Sequence, residues 1–243
     1  LQNLLRKKLH KYLRLEWVAA LLLVVNFFVT YNFDLEFFRL VRLISLCTLV
    51  IYYLYKKHVK SIFLLLAFLF FISRDVGYQF FEEIWGAELY MASATIGYLL
   101  LFFDRIPYLK NGIKWSTVLL TFVLVVATGS ILLLLGDLAE ANLETQFELI
   151  LFYSYGVSLI LLVLAACYYN HRLNSMRSLL FIFTVFGFVV SDIAACLAYF
   201  NEMNNFYYLD RSLFIVSMAL LANFGMNVEG AELEQADFLV LKE

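Results

Sequence analysis

Two carboxylates stand inside apolar runs long enough to cross a membrane: Asp75 in SIFLLLAFLFFISRDVGYQF and Asp192 in SLLFIFTVFGFVVSDIAACLAYF. An Asp at the bilayer centre costs ~2.5–3.5 kcal/mol on insertion scales, so such residues usually face a bundle interior or a wet cavity. Each lies fourteen residues beyond the Ser that opens its run, Ser61 or Ser178. If the two helices run the same way, both carboxylates sit at one depth. Two acids at one level can divide labour: a desolvated one gives a proton near neutral pH, while a better-solvated one stays ionised. That pair suits acid-catalysed cleavage through an oxocarbenium-like species, as in glycosidic or enol-ether bonds. The competing reading makes each Asp a structural partner for a basic residue. Arg74 adjoins Asp75, but neighbours along a helix do not face each other. Arg39 and Arg42, near the start of the second apolar run, are better placed.

The elements that must position these acids are eight apolar runs, at about 16–32, 37–55, 61–81, 84–103, 115–136, 147–169, 178–200 and 207–227. About 20 helical residues cross a ~30 Å hydrocarbon core, and each run approaches that length. The 243 residues are 63% apolar, with 25 Phe and one Pro, against ~45–50% apolar in soluble domains. The sequence therefore predicts an all-α polytopic membrane protein. Three segments follow: a basic interfacial segment at 1–15, an eight-helix domain at 16–228 and an acidic tail at 229–243. No signal-cleavage pattern precedes the first run, so its helix is read as retained. With the N-terminus taken as cytoplasmic, fourteen of the eighteen Lys and Arg fall on the inner side. The outer loops carry Asp34, Glu36, Glu82, Glu83, Asp137, Glu140, Glu144 and Glu202. This bias predicts both termini cytoplasmic and puts Asp75 and Asp192 in the outer half of the bilayer. Tyr153 and Tyr155 enter the sixth helix from that side, and Tyr78 lies one turn beyond Asp75; an aromatic-belt role competes for each. Glu82 and Glu83 read as solvated, and Glu88 could rim a cavity. The shared rhythm of the third and seventh helices suggests a 4+4 duplication.

Other chemistries find little support. His10, His58 and His171 all lie in basic inner segments, so neither a His-based triad nor an HExxH zinc site is available. There is no phosphate-cradling glycine loop, and no Lys in the last helix for a Schiff base. Cys47, Cys167 and Cys196 lie in apolar runs without CxxC spacing and read as small hydrophobes. The basic residues lie along a membrane face, where anionic lipid rather than nucleic acid is the nearer partner.

Phe188, Ser191, Asp192 and Phe200 match an F-x-x-S-D pattern with a Phe eight residues after the Asp. The stretch Phe70-Phe71-Ile72-Ser73-Arg74-Asp75 is similar to F-S-L-x-G-D, with Arg74 where Gly is expected. Tyr155 and Leu159 follow a Y-x-x-x-I pattern, with the small pair Ala165 and Ala166 after it. In these features the chain resembles the YhhN-type lysoplasmalogenases, eight-helix membrane proteins that hydrolyse the vinyl-ether bond of lysoplasmalogens. It departs from them in having Arg39 and Arg42 in place of Lys-Pro in the second helix. It also lacks the helix-4 His and Tyr at their usual places in Ile96–Phe103, and the helix-8 Gln near Leu220–Asn223.

The resemblance implies a bacterial inner-membrane hydrolase of lysophospholipids that releases a fatty aldehyde and a glycerophospho-alcohol, with no metal or organic cofactor. Asp75 and Asp192 would be its catalytic pair. Asp192 is the expected acid by burial, although the sequence does not assign the roles. Ser191, Tyr155, Tyr78 and Arg42 would bind and orient substrate or water. Two alternatives stand beside it: a non-catalytic lipid-binding or sensor module of the same fold, and a transporter using the two Asp as a proton relay.

Overall fold

The computed structural model describes residues 2–56, 61–109 and 115–227. The predicted acidic tail lies outside the described residues, as do Lys57, Lys60, Lys110 and Lys114 of the basic loops expected on the inner side. Eight helices follow in order: α1 (Gln2–Asn32), α2 (Leu35–Tyr55), α3 (Ile62–Gln79), α4 (Ile84–Arg105), α5 (Trp115–Glu140), α6 (Gln146–Leu173), α7 (Met176–Phe200) and α8 (Phe206–Met226). All eight are long and apolar enough to span a membrane. The described residues thus form an all-helical protein compatible with a multi-pass integral membrane chain. The basic N-terminal segment is continuous with the first span: no Gly or Pro interrupts α1 between Gln2 and Asn32.

Side-chain caps set where the two Asp-bearing helices begin. Ser61 caps α3, accepting from the Leu64 amide. Its hydroxyl also donates to Asp104 Oδ1 at 2.5 Å. Ser175, not Ser178, caps α7, and the two serines exchange bonds in a capping box. The equal spacing of the acids from Ser61 and Ser178 is therefore not an equal distance from the helix starts. Counted from the caps, Asp192 lies three residues further along its helix than Asp75, roughly 4.5 Å at the ~1.5 Å helical rise.

Six helices close a ring. The most extensive packing joins α3 to α4 and α7 to α8; α4 continues onto α6, α6 onto α7, α8 onto α2 and α2 onto α3. At Gly77 a Cβ would lie 2.7 Å from the Tyr90 amide nitrogen and 2.8 Å from the Gly86 carbonyl oxygen. Glycine there allows the α3 and α4 backbones to touch, as small residues do between membrane helices. Inside the ring Leu49, Phe68, Phe71, Phe181, Phe188 and Phe214 are fully buried. Among lipid chains that burial gains little from water exclusion, so close packing contributes most of the cohesion. The two remaining helices lie outside the ring: α1 against α8 and α2, and α5 against α6 and, less extensively, α7. At the C-terminal end of α4, Arg105 is ion-paired to Asp104 and packed among the rings of Tyr108, Tyr169, Phe181 and Phe224.

Candidate functional site

Every helix of the ring contributes to one buried polar cluster. Arg42 on α2 reaches Asp75 on α3 through Nε at 3.2 Å and Asp210 on α8 through Nη1 at 3.1 Å. Its guanidinium lies 3.9 Å above the Phe214 ring. Arg74, the next residue before Asp75, points elsewhere: its Nη2 donates to Asp192 Oδ1 on α7 at 2.7 Å and to the Tyr90 hydroxyl on α4 at 2.7 Å. Tyr98, two turns along α4, donates to the other oxygen of Asp192 at 2.5 Å. Tyr155 on α6 stacks on Tyr98, with centroids 5.8 Å apart and the planes 11° from parallel. Arg211 lies 3.5 Å from Asp210 and donates to the Tyr78 hydroxyl at 3.0 Å. Three arginines thus face three aspartates, which keeps the enclosed charge near zero. A buried charge without such a partner is strongly destabilising.

The two predicted acids have different surroundings. Asp192 is 8% exposed and lies on the wall of two cavities. Asp75 is 1% exposed and lines neither. Its Oδ1 has no hydrogen-bond partner. The first cavity, about 80 Å³, runs between α5, α6 and α7 along Leu132, Leu135, Gly156, Leu159 and Val189. The second, about 40 Å³, is walled by Tyr78, Phe81, Tyr90, Tyr199 and Phe200. Phe152, Tyr155, Asp192 and Cys196 line both. A third cavity of about 230 Å³ shares Phe81, Tyr199 and Phe200 with the second and adds Glu82, Glu83, Glu144 and Glu148. The walls therefore grade from apolar, through aromatic, to acidic.

The other predicted residues divide by what they touch. Tyr155 lines both of the Asp192 cavities, and its hydroxyl, buried, has no partner. Tyr78 lines the aromatic cavity and sits beneath the Arg39 guanidinium, 4.5 Å from ring centroid to Cζ. Ser191 turns away from both cavities and donates to Asp210 Oδ1 at 2.8 Å, so its hydroxyl orients an acid rather than meeting a ligand. Arg42 is fully buried as the bridge between Asp75 and Asp210. Tyr153 packs over Gly136 and lines neither Asp192 cavity. Glu82 is not simply solvated: Arg39 grips it through two bonds of 2.7 Å. That hydrogen bonding holds the Glu82 carboxyl below its ordinary range. Arg39 accordingly serves Glu82, while Arg42 is the partner of Asp75.

Four participants, Asp210, Arg211, Tyr90 and Tyr98, were missed in the sequence. Asp210 carries a visible signal, since Asp210-Arg211 reverses the Arg74-Asp75 pair inside another apolar run. Tyr90 and Tyr98 carry none beyond being tyrosines in a spanning helix. Among the described residues no three His, Cys, Asp or Glu side chains gather to hold a metal ion. No protein-family model matches the chain, and neither a curated protein nor a solved structure is significantly similar to it.

Proposed function

We propose that this chain is a membrane-embedded hydrolase that cleaves the vinyl-ether bond of a lysoplasmalogen-type lysophospholipid. The observation that carries the reading is that Asp192 stands where an apolar cavity and an aromatic one meet. An amphiphile lying across that junction would present its head-to-chain linkage to the carboxylate. In the proposed reaction a proton adds to the vinyl-ether carbon, and the resulting oxocarbenium carbon is attacked by water. Asp192, held by Arg74 and Tyr98, faces the cation, takes a proton from that water and returns it to the glycerol oxygen as the hemiacetal collapses. The C–O bond breaks, fatty aldehyde and glycerophospho-alcohol leave, and the hemiacetal hydroxyl proton replaces the one first given. Asp75, sealed behind that face, supplies the proton indirectly: its unpartnered Oδ1 is free to carry one, which passes to the substrate through the polar groups of the cluster and not by direct contact. This division reverses the roles expected from the sequence, since the acid that faces the cavities is the one tied by two hydrogen bonds. The test is incubation of the purified protein with a panel of vinyl-ether lysolipids. Release of fatty aldehyde is expected; its absence from every member overturns the reading.

One observation favours a lipid-binding or sensor module instead. Arg74 replaces the Gly of the resembling motif and engages Asp192 directly. In that reading the acids serve only as counter-charges, and the same panel would show retention of lysolipid without aldehyde. We place the chain in a bacterial inner membrane with both termini cytoplasmic. Single cysteines at Glu140 and Lys56 should be labelled from outside and inside respectively; the opposite pattern inverts the topology.

A further inference from the structure

The α5–α6–α7 cavity meets the polar cluster only at Asp192 and Tyr155, and its walls are otherwise almost entirely apolar. It lies between helices that face lipid, and α5 closes one side while burying little of itself. At Gly156 a Cβ would fall 2.2 Å from Leu132 Cδ1, so α5 and α6 make their close approach on the cavity wall. On α6 the wall extends from Phe152 to Val163, a span of roughly 16 Å at the ~1.5 Å rise per residue. At its Asp192 end stands the Tyr155 hydroxyl, more than nine-tenths buried and without a partner. A buried hydroxyl left unbonded costs stability that a bound acceptor restores.

We infer that this cavity is the binding site for the hydrocarbon chain of a single-chain amphiphile, with Tyr155 donating to an oxygen where chain and head join. The occupant is a chain rather than a flat or globular ligand, because the lining residues follow α6 for about three turns, from Phe152 to Val163, and are apolar away from one end. Its polar end continues past Asp192 into the aromatic cavity and the acidic mouth, the order of surfaces an amphiphile presents. Ile160 and Ile193, half-buried on opposing walls, set its width. The inference rests on the amphiphile reading above, but it does not require turnover.

The test uses full-length protein in phosphatidylcholine nanodiscs. The probe is a lysophosphatidylcholine with a saturated alkyl-ether chain and a mid-chain diazirine. Photolabelling should concentrate on peptides spanning 128–135, 152–163 and 189–196, and excess unlabelled lysolipid should compete it away. Ile193→Trp and Ile160→Trp each fill the groove and should lower labelling about tenfold or more; two variants guard against one failing to fold. Tyr155→Phe keeps the ring and should weaken competition by about two- to tenfold, the net value of one neutral hydrogen bond. Labelling spread evenly over the lipid-facing helices, or unchanged in the folded Trp variants, overturns the site. Because the probe has no vinyl-ether bond, groove labelling without aldehyde release would remove the hydrolase and keep the groove. Aldehyde release without groove labelling would do the reverse.

Discussion

The two halves of the chain repeat a helix order but treat their outlying helices differently. In the contact pattern α1–α4 and α5–α8 correspond: α3 packs on α4 as α7 packs on α8, and α2 meets α8 as α6 meets α4. Such a pattern fits a parallel repeat about an axis along the membrane normal. The outlying helices break it. α1 covers the groove between α8 and α2, and the buried Asn26 Nδ2 donates to Ser45 Oγ at 2.8 Å to hold it there. Its counterpart α5 lies over α6 and leans toward α7. In the first half the acid is sealed; in the second, a cavity opens beside it. The difference shows that two similar helix arrangements can hold one acid sealed and leave the other open on a cavity.

The largest effect that could break this comparison is on turnover. Asp192→Asn and Asp75→Asn should each lower aldehyde release by ~10²–10⁴, the usual contribution of an acid or base. Exposure separates them in a rescue experiment. Added formate should restore part of the activity of Asp192→Gly, which opens on two cavities, and none of that of Asp75→Gly. Equal rescue would erase the distinction between a sealed and an open half.

Stability gives the next contrast. Arg42→Met strips two enclosed acids of a partner, and removing one side of a buried ion pair costs ~3–5 kcal/mol. Arg74→Met should cost less, because Asp192 keeps the Tyr98 bond and faces a cavity. Denaturant unfolding in detergent measures both; the reverse order would contradict the assignment of the halves. A smaller difference is expected between the outlying helices. Asn26→Leu should lose about 0.5–1.5 kcal/mol, the net worth of one hydrogen bond. Thr128→Val should change little, since its hydroxyl bonds only its own helix at Leu124.

The smallest effect belongs to the rim. The Glu82 carboxyl is held below its ordinary range by Arg39. Its contribution to stability is therefore full above the unfolded-state value and is lost as pH falls through the depressed folded value. The Glu82 side chain is 53% exposed, so solvent screening keeps that contribution small. The Tm gap between wild type and Glu82→Gln should be a fraction of a hydrogen-bonded core variant's at neutral pH and vanish in acid. A gap that widens in acid would show that Arg39 does not hold Glu82 ionised.

The eight spans were legible because length and apolarity are local properties. Helix ends differ where polar residues continue the helix, back to Gln2 in α1 and on to Glu140 in α5 and Leu173 in α6, or where a cap such as Ser175 begins it. Asp75 and Asp192 were legible because a charge is conspicuous among Leu and Phe. The pairing was not. Arg74 and Asp75 are neighbours in the chain, yet they turn to α7 and α2, a choice made by the ring and invisible in either helix alone. Asp210 was overlooked because an acid in the first turns of a helix resembles a loop carboxylate. The cavity was unreadable for a different reason: α5 is apolar on every side, so nothing in its sequence says which neighbour it will cover.

The Arg74–Asp192 pair joins residues 118 positions apart. During synthesis the arginine enters the bilayer long before its carboxylate exists, a delay of roughly 6–24 s at ~5–20 residues per second. Until then only Tyr90 and Tyr98, delivered with the next helix, can hold the guanidinium. Asp210 reaches Arg42 later still, across 168 positions. Assembly therefore cannot be completed helix by helix: the nascent half carries an unneutralised cation that its own sequence never balances. A chain ended after Leu173 should therefore be cleared faster than the full chain, because the carboxylates that pair with Arg74 and share Arg42 arrive only with the last two helices.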